Sequence, residues 1–228
     1  EHLFWRQEFQ GFWPPELGFS MELIPHLKAL GYRYVIVDSE HVEPVTKMTE
    51  AERLFKPHIA KYEGHEIIVI VRHRDLSNAL ANGTDFGWFQ QEVLRLTQGL
   101  DNPLVTTCSD GENGAWYRNP DPESNFWGVF YAGLLDSARQ GGPIQPRYHH
   151  DYLDQYGTLG EVRVLTGAWN TEWHDGRDFN QWAGADAQVQ ALARIRKVSN
   201  EIHQALREAP SRELGPQEDE VMKDAHQR

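Results

Sequence analysis

Residues 11–38 read GFWPPELGFSMELIPHLKALGYRYVIVD, and this stretch sets the fold class. Gly11 to Glu16 reads as a short strand running into a turn. Pro14 and Pro15 hold that turn in one shape, because proline fixes φ and lacks an N–H donor. Ser20 suits the N-cap of a helix over 21–30, in which Leu23, Leu27 and Leu30 share one apolar face and Gly31 stops the run. Tyr32 to Val37 (YRYVIV) is then a strand that ends at Asp38.

The same alternation continues outward. A helix is expected around 49–62, broken or kinked at Pro57. Glu66 to Val71 (EIIVIV) is almost continuously apolar, as a parallel strand buried on both faces should be. Helices are expected over 76–81 and 86–100, followed by a strand over 104–108 (LVTTC) that delivers Ser109-Asp110-Gly111. A helix over 125–139, a loop over 141–145, a short helix over 149–156 and a last short strand over 162–165 follow. Residues 185–208 form a long amphipathic helix, and 209–228 read as a polar, mobile tail. Strand and helix in alternation imply an α/β fold with a parallel sheet and helices outside it. A closed barrel and an open doubly wound sheet both fit. In either, function gathers at the carboxyl ends of the strands, where Glu16, Asp38, Arg72 and Asp110 fall.

Composition narrows the function classes. The chain has 228 residues, a formal charge of −12 and no Lys/Arg cluster, which disfavours nucleic-acid binding by counterion release. No apolar run reaches the ~20 residues of a membrane span. The single cysteine, Cys108, excludes an internal disulfide and a cysteine-based zinc site, and fits a reducing, cytoplasmic setting. The chain opens at Glu1 with no visible signal peptide.

Two segments carry chemistry. In GFWPPELG, Glu16 follows Trp13, whose flat face and N–H suit a sugar ring. In SDGENGAWY, a strand delivers Asp110, and Gly111, Glu112, Asn113, Gly114 and Trp116 follow as a polar pocket would require. The plain alternatives are a surface Glu beside a core Trp, and an ordinary acidic turn; the spacing of a calcium-binding EF-hand is absent. Two carboxylates on different strand ends are what glycoside hydrolysis needs. One protonates the leaving oxygen, and the other attacks the anomeric carbon or activates water.

Together these segments resemble glycoside hydrolase family 57. Residues 11–38 resemble the family's W-L-x-E motif with its following helix and strand, and SDGENGAWYRN resembles its D-G-E motif. The segment Arg72 to Asn78 is similar to the family's R-D-x-x-L-S-D, with Asn78 in place of the final Asp. GAWNTEWHDGRDFNQWAG resembles the segment near the family's last strand. The resemblance spans about residues 9–207; the family's N-terminal His-Gln-Pro motif and its second motif are absent.

The resemblance implies Glu16 as nucleophile and Asp110 as general acid/base. It also places Trp169, Asn170, Trp173 and His174 near the substrate, and these join Trp13, Asp38, Arg72, Glu112 and Trp116, read from their strand-end and pocket positions, as expected substrate-binding residues. It implies a (β/α)7-type barrel within residues 1–208, incomplete at its N-terminal side and ending in a C-terminal helix. The implied activity is retaining hydrolysis or transglycosylation of α-glucans, with a carbohydrate as partner and neither metal nor cofactor. A further N-terminal segment or a second chain would complete the barrel, and the Glu16 strand would lie at a sheet edge.

Two other classes compete: a non-catalytic carbohydrate-binding protein on the same fold, and a metal-dependent carbohydrate deacetylase. The deacetylase needs a His/Asp metal triad at strand ends, which the sequence does not offer. His73-Arg74-Asp75-Leu76 and Asp85-Phe86-Gly87 imitate kinase motifs, but Leu80 stands where the required Asn would be. His149-His150-Asp151 lacks metal-ligand spacing, since adjacent residues do not share a helix face. Cys108 reads as a small buried hydrophobe, and the apolar face of the last helix (Val189, Leu192, Ile195, Ile202) as a packing surface.

Overall fold

The computed structural model describes residues 10–114, 119–121, 123–169, 171 and 178–208. The chain divides into two compact units, Glu1–Asp178 and Phe179–Arg228.

The first unit is built on a sheet of four strands, β1 (Gly11–Phe12), β2 (Tyr34–Asp38), β4 (His58–Tyr62) and β5 (His65–Arg72), in the order β1-β2-β5-β4. β1, β2 and β5 run parallel, with Gly11 opposite Tyr34 and Asp38 opposite Arg72. The segment after Pro103 joins the far end of β5 through a parallel bridge between Thr106 and Arg72. Among the described residues β1, which leads into Glu16, is an edge strand, and the sheet is partial and does not close into a barrel.

Alternation along β2 and β5 sorts the core. Val35, Val37, Val69 and Val71 face one way and pack on Ile24 and Leu27 of α1 (Leu23–Ala29). Ile36 and Ile70 face the other way, against Trp13, Leu104 and Cys108, and are covered by Leu153 of α6 (His149–Tyr156). That second face ends, at the carboxyl end of the strands, in the register pair Asp38 and Arg72. A third cluster joins Phe55 of α2 (Glu50–Phe55), Leu76 and Leu80 of α3 (Arg74–Ala81), Phe89 and Val93 of α4 (Phe86–Leu96) and Phe130 of α5 (Phe126–Arg139).

Several expectations are corrected. The 49–62 helix stops at Phe55, because a residue before proline is driven to extended backbone, and Lys56 has φ −127 and ψ 148. Beyond Pro57 the chain turns into β4, which pairs antiparallel with β5 through Glu63 and Gly64, both at positive φ as a tight hairpin requires. The 162–165 strand is β6 (Val162–Val164), which leaves the main sheet and pairs antiparallel with β3 (Val42–Pro44), a strand the sequence did not reveal. Ser20 does not cap α1; Glu22 holds that position without a side-chain bond, and Pro25 sits within the first turn, where its missing N–H is harmless.

The second unit holds α7 (Asn180–Ala183) and α8 (Asp186–Glu208). The α8 face expected to be a packing surface is exposed, at Val189, Leu192, Ile195, Val198 and Ile202. Among the described residues no helix is long and apolar enough to cross a membrane.

Candidate active site

Glu16 lies in a single 3-10 turn, Pro15–Leu17, just past β1. Its backbone is left-handed, with φ 55 and ψ 17, and Leu17 follows at φ 53. Two consecutive non-glycine residues in this region carry strain that the surroundings must hold, a condition that clusters at functional sites. Pro14 and Pro15 stiffen the approach, and the Leu17 N–H closes the turn on the Pro14 carbonyl at 2.9 Å. Fully buried Leu17 anchors the turn from below, while the Glu16 carboxylate stays exposed.

The segment after β6 returns to clamp this turn. Phe19 and Gly167 exchange backbone hydrogen bonds at 2.8 and 3.0 Å, and the Trp169 N–H donates to the Glu16 carbonyl at 3.0 Å. The Trp169 indole Nε1–H then donates to Glu16 Oε2 at 2.6 Å. Trp169 therefore holds both the backbone and the carboxylate of Glu16, leaving Oε1 without a hydrogen bond among the described residues. A side chain at Gly167 would meet His41 Nε2 and Thr171 Oγ1 at 2.8 Å each, so only glycine lets the segment approach. Buried Thr171 fixes the next turn by accepting from the Ala168 N–H and donating to its carbonyl.

Asp110 arrives from the Thr106 bridge. The turn behind it is set less by Gly111 than by Gly114, at φ +80, where an added Cβ would fall 2.3 Å from the Phe126 ring. The Gly114 N–H bonds the Ala81 carbonyl at 2.7 Å, tying the turn to the end of α3. The Trp127 indole donates to the Asn113 carbonyl at 2.6 Å.

Beneath both carboxylates lies a buried ionic network. Asp38, with no exposed surface, accepts from Arg72 Nη1 at 2.7 Å, from Arg74 Nε at 2.9 Å and from the Glu40 N–H at 3.1 Å. Arg72 also donates through Nε to the Cys108 carbonyl at 2.8 Å and through Nη2 to Asn78 Oδ1 at 3.4 Å. Its guanidinium carbon lies 5.9 Å from the centroid of the Trp169 ring.

This placement shapes the electrostatics. Partial burial raises the Asp110 pKa above the ordinary aspartate value; the charges of Glu112 and then Glu16 raise it further, and Arg72 opposes them. Burial pushes the Cys108 thiol up to about 11, so it is no nucleophile at neutral pH. A carboxylic acid that holds its proton longer, within electrostatic reach of a second, exposed carboxylate, suits general acid catalysis beside a nucleophile.

A cleft of about 440 Å³ is lined by Asp38, Arg72, Asn78, Asp110, Asn113 and Trp169 among others, and Glu16 reaches it through the Trp169 bond. A second hollow, of about 320 Å³, includes Trp13, Cys108, Ser109, Trp127 and Tyr131. Trp13 meets Trp169 edge-on at 6.0 Å, and the Trp127 and Tyr131 rings stack at 5.4 Å.

Of the residues singled out from the sequence, Glu16, Trp13, Asp38, Arg72, Asp110, Glu112 and Trp169 thus gather around one region. Trp116, Asn170, Trp173 and His174 lie outside the described residues. Asp38 and Arg72 line the floor of this cleft, but both are almost fully buried and engaged with protein partners. The sequence reading missed Arg74, Trp127 and Tyr131. The last two were readable as aromatics four apart on a helix, a spacing that places them side by side. Among the described residues no group of three or more His, Cys, Asp or Glu side chains could hold a metal ion. His149 packs edge-on against the Tyr34 ring, at 5.5 Å.

Comparison with known proteins follows the same line. The family model described as glycosyl hydrolase family 57 matches residues 3–139. None of the curated proteins matches the chain in sequence. Among solved structures, the chain is similar to a 4-α-glucanotransferase from Thermococcus litoralis, with TM-score 0.54 and 17% identity over 87% of this chain and 28% of that one. It is similar to an exo-type maltose-forming amylase from Pyrococcus sp. ST04, with TM-score 0.55 and 18% identity over 76% of this chain and 32% of that one. It is also similar to a branching enzyme from Thermococcus kodakaraensis, with TM-score 0.51 and 15% identity over 77% of this chain and 44% of that one. The chain thus spans less than half the length of each of these three structures, and at such identities the likeness is one of fold.

Proposed function

The chain belongs to glycosyl hydrolase family 57, and on that premise we propose that it carries the catalytic pair of a retaining enzyme acting on α-glucans. Glu16 is the nucleophile and Asp110 the general acid/base. The observation that carries this reading is the pairing itself: burial first, then the charges of Glu112 and Glu16, raise the Asp110 pKa, while Glu16 is exposed and oriented by the Trp169 indole. In the first step Glu16 attacks the anomeric carbon, and Asp110 gives its proton to the departing glycosidic oxygen. In the second, Asp110 takes a proton from water or from a sugar hydroxyl, which attacks the glycosyl–Glu16 ester and frees the nucleophile. Trp13, Trp127 and Tyr131 offer flat apolar faces beside the cleft on which pyranose rings can stack. α-Glucans are the substrate class that agrees with the names of the three structural relatives.

The exposed edge of β1 supports a further part of the proposal. Among the described residues β1 is paired on one side, and in this proposal a preceding segment or a second chain completes the sheet there and supplies further substrate contacts. Cytoplasmic residence is the setting we assign, on the strength of the lone unpaired Cys108.

Incubation with a maltooligosaccharide, with and without a chelator, tests the reading. The expected result is shorter or rearranged oligosaccharides in both cases, lost in Glu16→Ala. Asp110→Ala is expected to keep more activity on aryl α-glucosides, whose leaving group needs no proton. Activity abolished by the chelator, or undiminished in Glu16→Ala, would refute it.

A further inference from the structure

Arg72 touches neither carboxylate, yet it contacts the support of each. On the Asp110 side, its Nε–H holds the carbonyl of Cys108, two residues before Asp110 on the same extended segment. On the Glu16 side, its guanidinium lies over the ring of Trp169, whose indole N–H holds Glu16 Oε2. The guanidinium is itself fixed from two further directions, by Asp38 on β2 and by Asn78 on α3. Its side chain is only 5% exposed.

From this we propose that Arg72 is a positioning residue, a planar spacer between the Trp169 indole and the Cys108 carbonyl that sets the separation of Glu16 and Asp110. The inference rests on the reading of those two residues as a catalytic pair. The guanidinium is suited to this because its donors leave in fixed directions within one plane while its face remains free to lie on an aromatic ring. A lysine at 72 would keep the charge beside Asp38 but would lose the fork and the flat face. A direct role in holding substrate would appear chiefly in KM, whereas misplacement of a catalytic group appears in kcat.

The test compares Arg72→Lys and Arg72→Met, each checked for a native circular dichroism spectrum and melting transition. The first readout needs no turnover. It is the NMR resonance of the Trp169 indole N–H, assigned by its loss in Trp169→Phe. In the unsubstituted chain it should move on Glu16→Gln, because a charged acceptor becomes neutral. In Arg72→Lys and Arg72→Met the resonance should already be displaced, and its response to Glu16→Gln should fall. The second readout is kinetic: kcat should drop ~100-fold with KM almost unchanged, the scale expected when a reacting group is misplaced by about 1 Å. A Trp169 resonance indifferent to both substitutions in folded protein overturns the inference, and so does a loss confined to KM. Absence of α-glucan turnover in the unsubstituted protein, with the Trp169 resonance still following Arg72, would remove the functional reading and leave the contact chain in place.

Discussion

Trp169→Phe isolates one interaction at the proposed nucleophile, Glu16. The substitution keeps an aromatic ring against Trp13 and keeps the backbone bond from the residue 169 N–H to the Glu16 carbonyl. It removes the indole N–H that reaches Glu16 Oε2 at 2.6 Å. A hydrogen bond to a charged acceptor contributes ~1.5–3 kcal/mol when the pair is shielded. Glu16 is exposed, so water replaces part of this, and the lower end of the range applies. About 1.4 kcal/mol in the barrier for glycosylation is about a tenfold loss of rate. The loss belongs in kcat, since the bond orients the attacking group rather than gripping the sugar. Steady-state kcat and KM on a maltooligosaccharide provide the assay, with an aryl α-glucoside as a second substrate. The two substrates should lose similar factors, because in the proposed mechanism Glu16 attacks in both and leaving-group protonation is untouched. A kcat unchanged in Trp169→Phe, or a loss on the maltooligosaccharide alone, would refute the assignment of Trp169 as the residue that orients Glu16.

Three further outcomes are expected. Glu112→Gln removes one of the charges that raise the Asp110 pKa, so Asp110 should lose its proton at lower pH and the alkaline limb of the kcat/KM profile should move to lower pH; a fixed limb contradicts the electrostatic account. Gly167→Ala drives a methyl into His41 and Thr171, an overpacking worth ~1–3 kcal/mol, so the melting temperature should fall and turnover with it, because the same segment carries Trp169; an unchanged melt would show that the clamp has slack. Asp38→Asn takes the charge from between buried Arg72 and half-buried Arg74 and should cost ~3–5 kcal/mol in urea unfolding; a loss within the error of that measurement would show the network to be incidental.

The parallel core was legible because local signals agreed. The apolar runs at 34–38 and 65–72 pair in register, and the acidic and basic residues at their ends fall together as Asp38 and Arg72. Glu16 stands just past β1, but the strand expected over 104–108 shrinks to a single bridge at Thr106, and Asp110 follows it on irregular backbone. β4 was not legible, because HIAKY is short and polar enough to pass for the end of a helix, and its partner is fixed by the Glu63-Gly64 hairpin. Nor was β3, whose three residues become a strand only by pairing with a segment far along the chain. The Trp169–Glu16 bond joins residues 153 positions apart, a contact no local pattern announces. The burial of Arg72 was equally hidden. The residues that follow it, His73, Arg74 and Asp75, are polar and argue for exposure, whereas Asp38, Asn78 and the Cys108 carbonyl, all brought by other segments, satisfy its donors.

The central claim is that Glu16 forms the covalent bond to the sugar. A 5-fluoro-α-glucosyl fluoride tests it most directly, because it brings its own leaving group and forms a glycosyl–enzyme ester that breaks down slowly. After incubation, proteolysis and mass spectrometry, the account predicts one hexosyl adduct, on Glu16 within the peptide that contains Trp13 and Pro15. The adduct should persist in Asp110→Ala, which lacks the base that activates water for its removal. An adduct on another carboxylate such as Glu112, Asp75 or Asp110 itself, or none on a preparation that turns over maltooligosaccharides, would contradict the account.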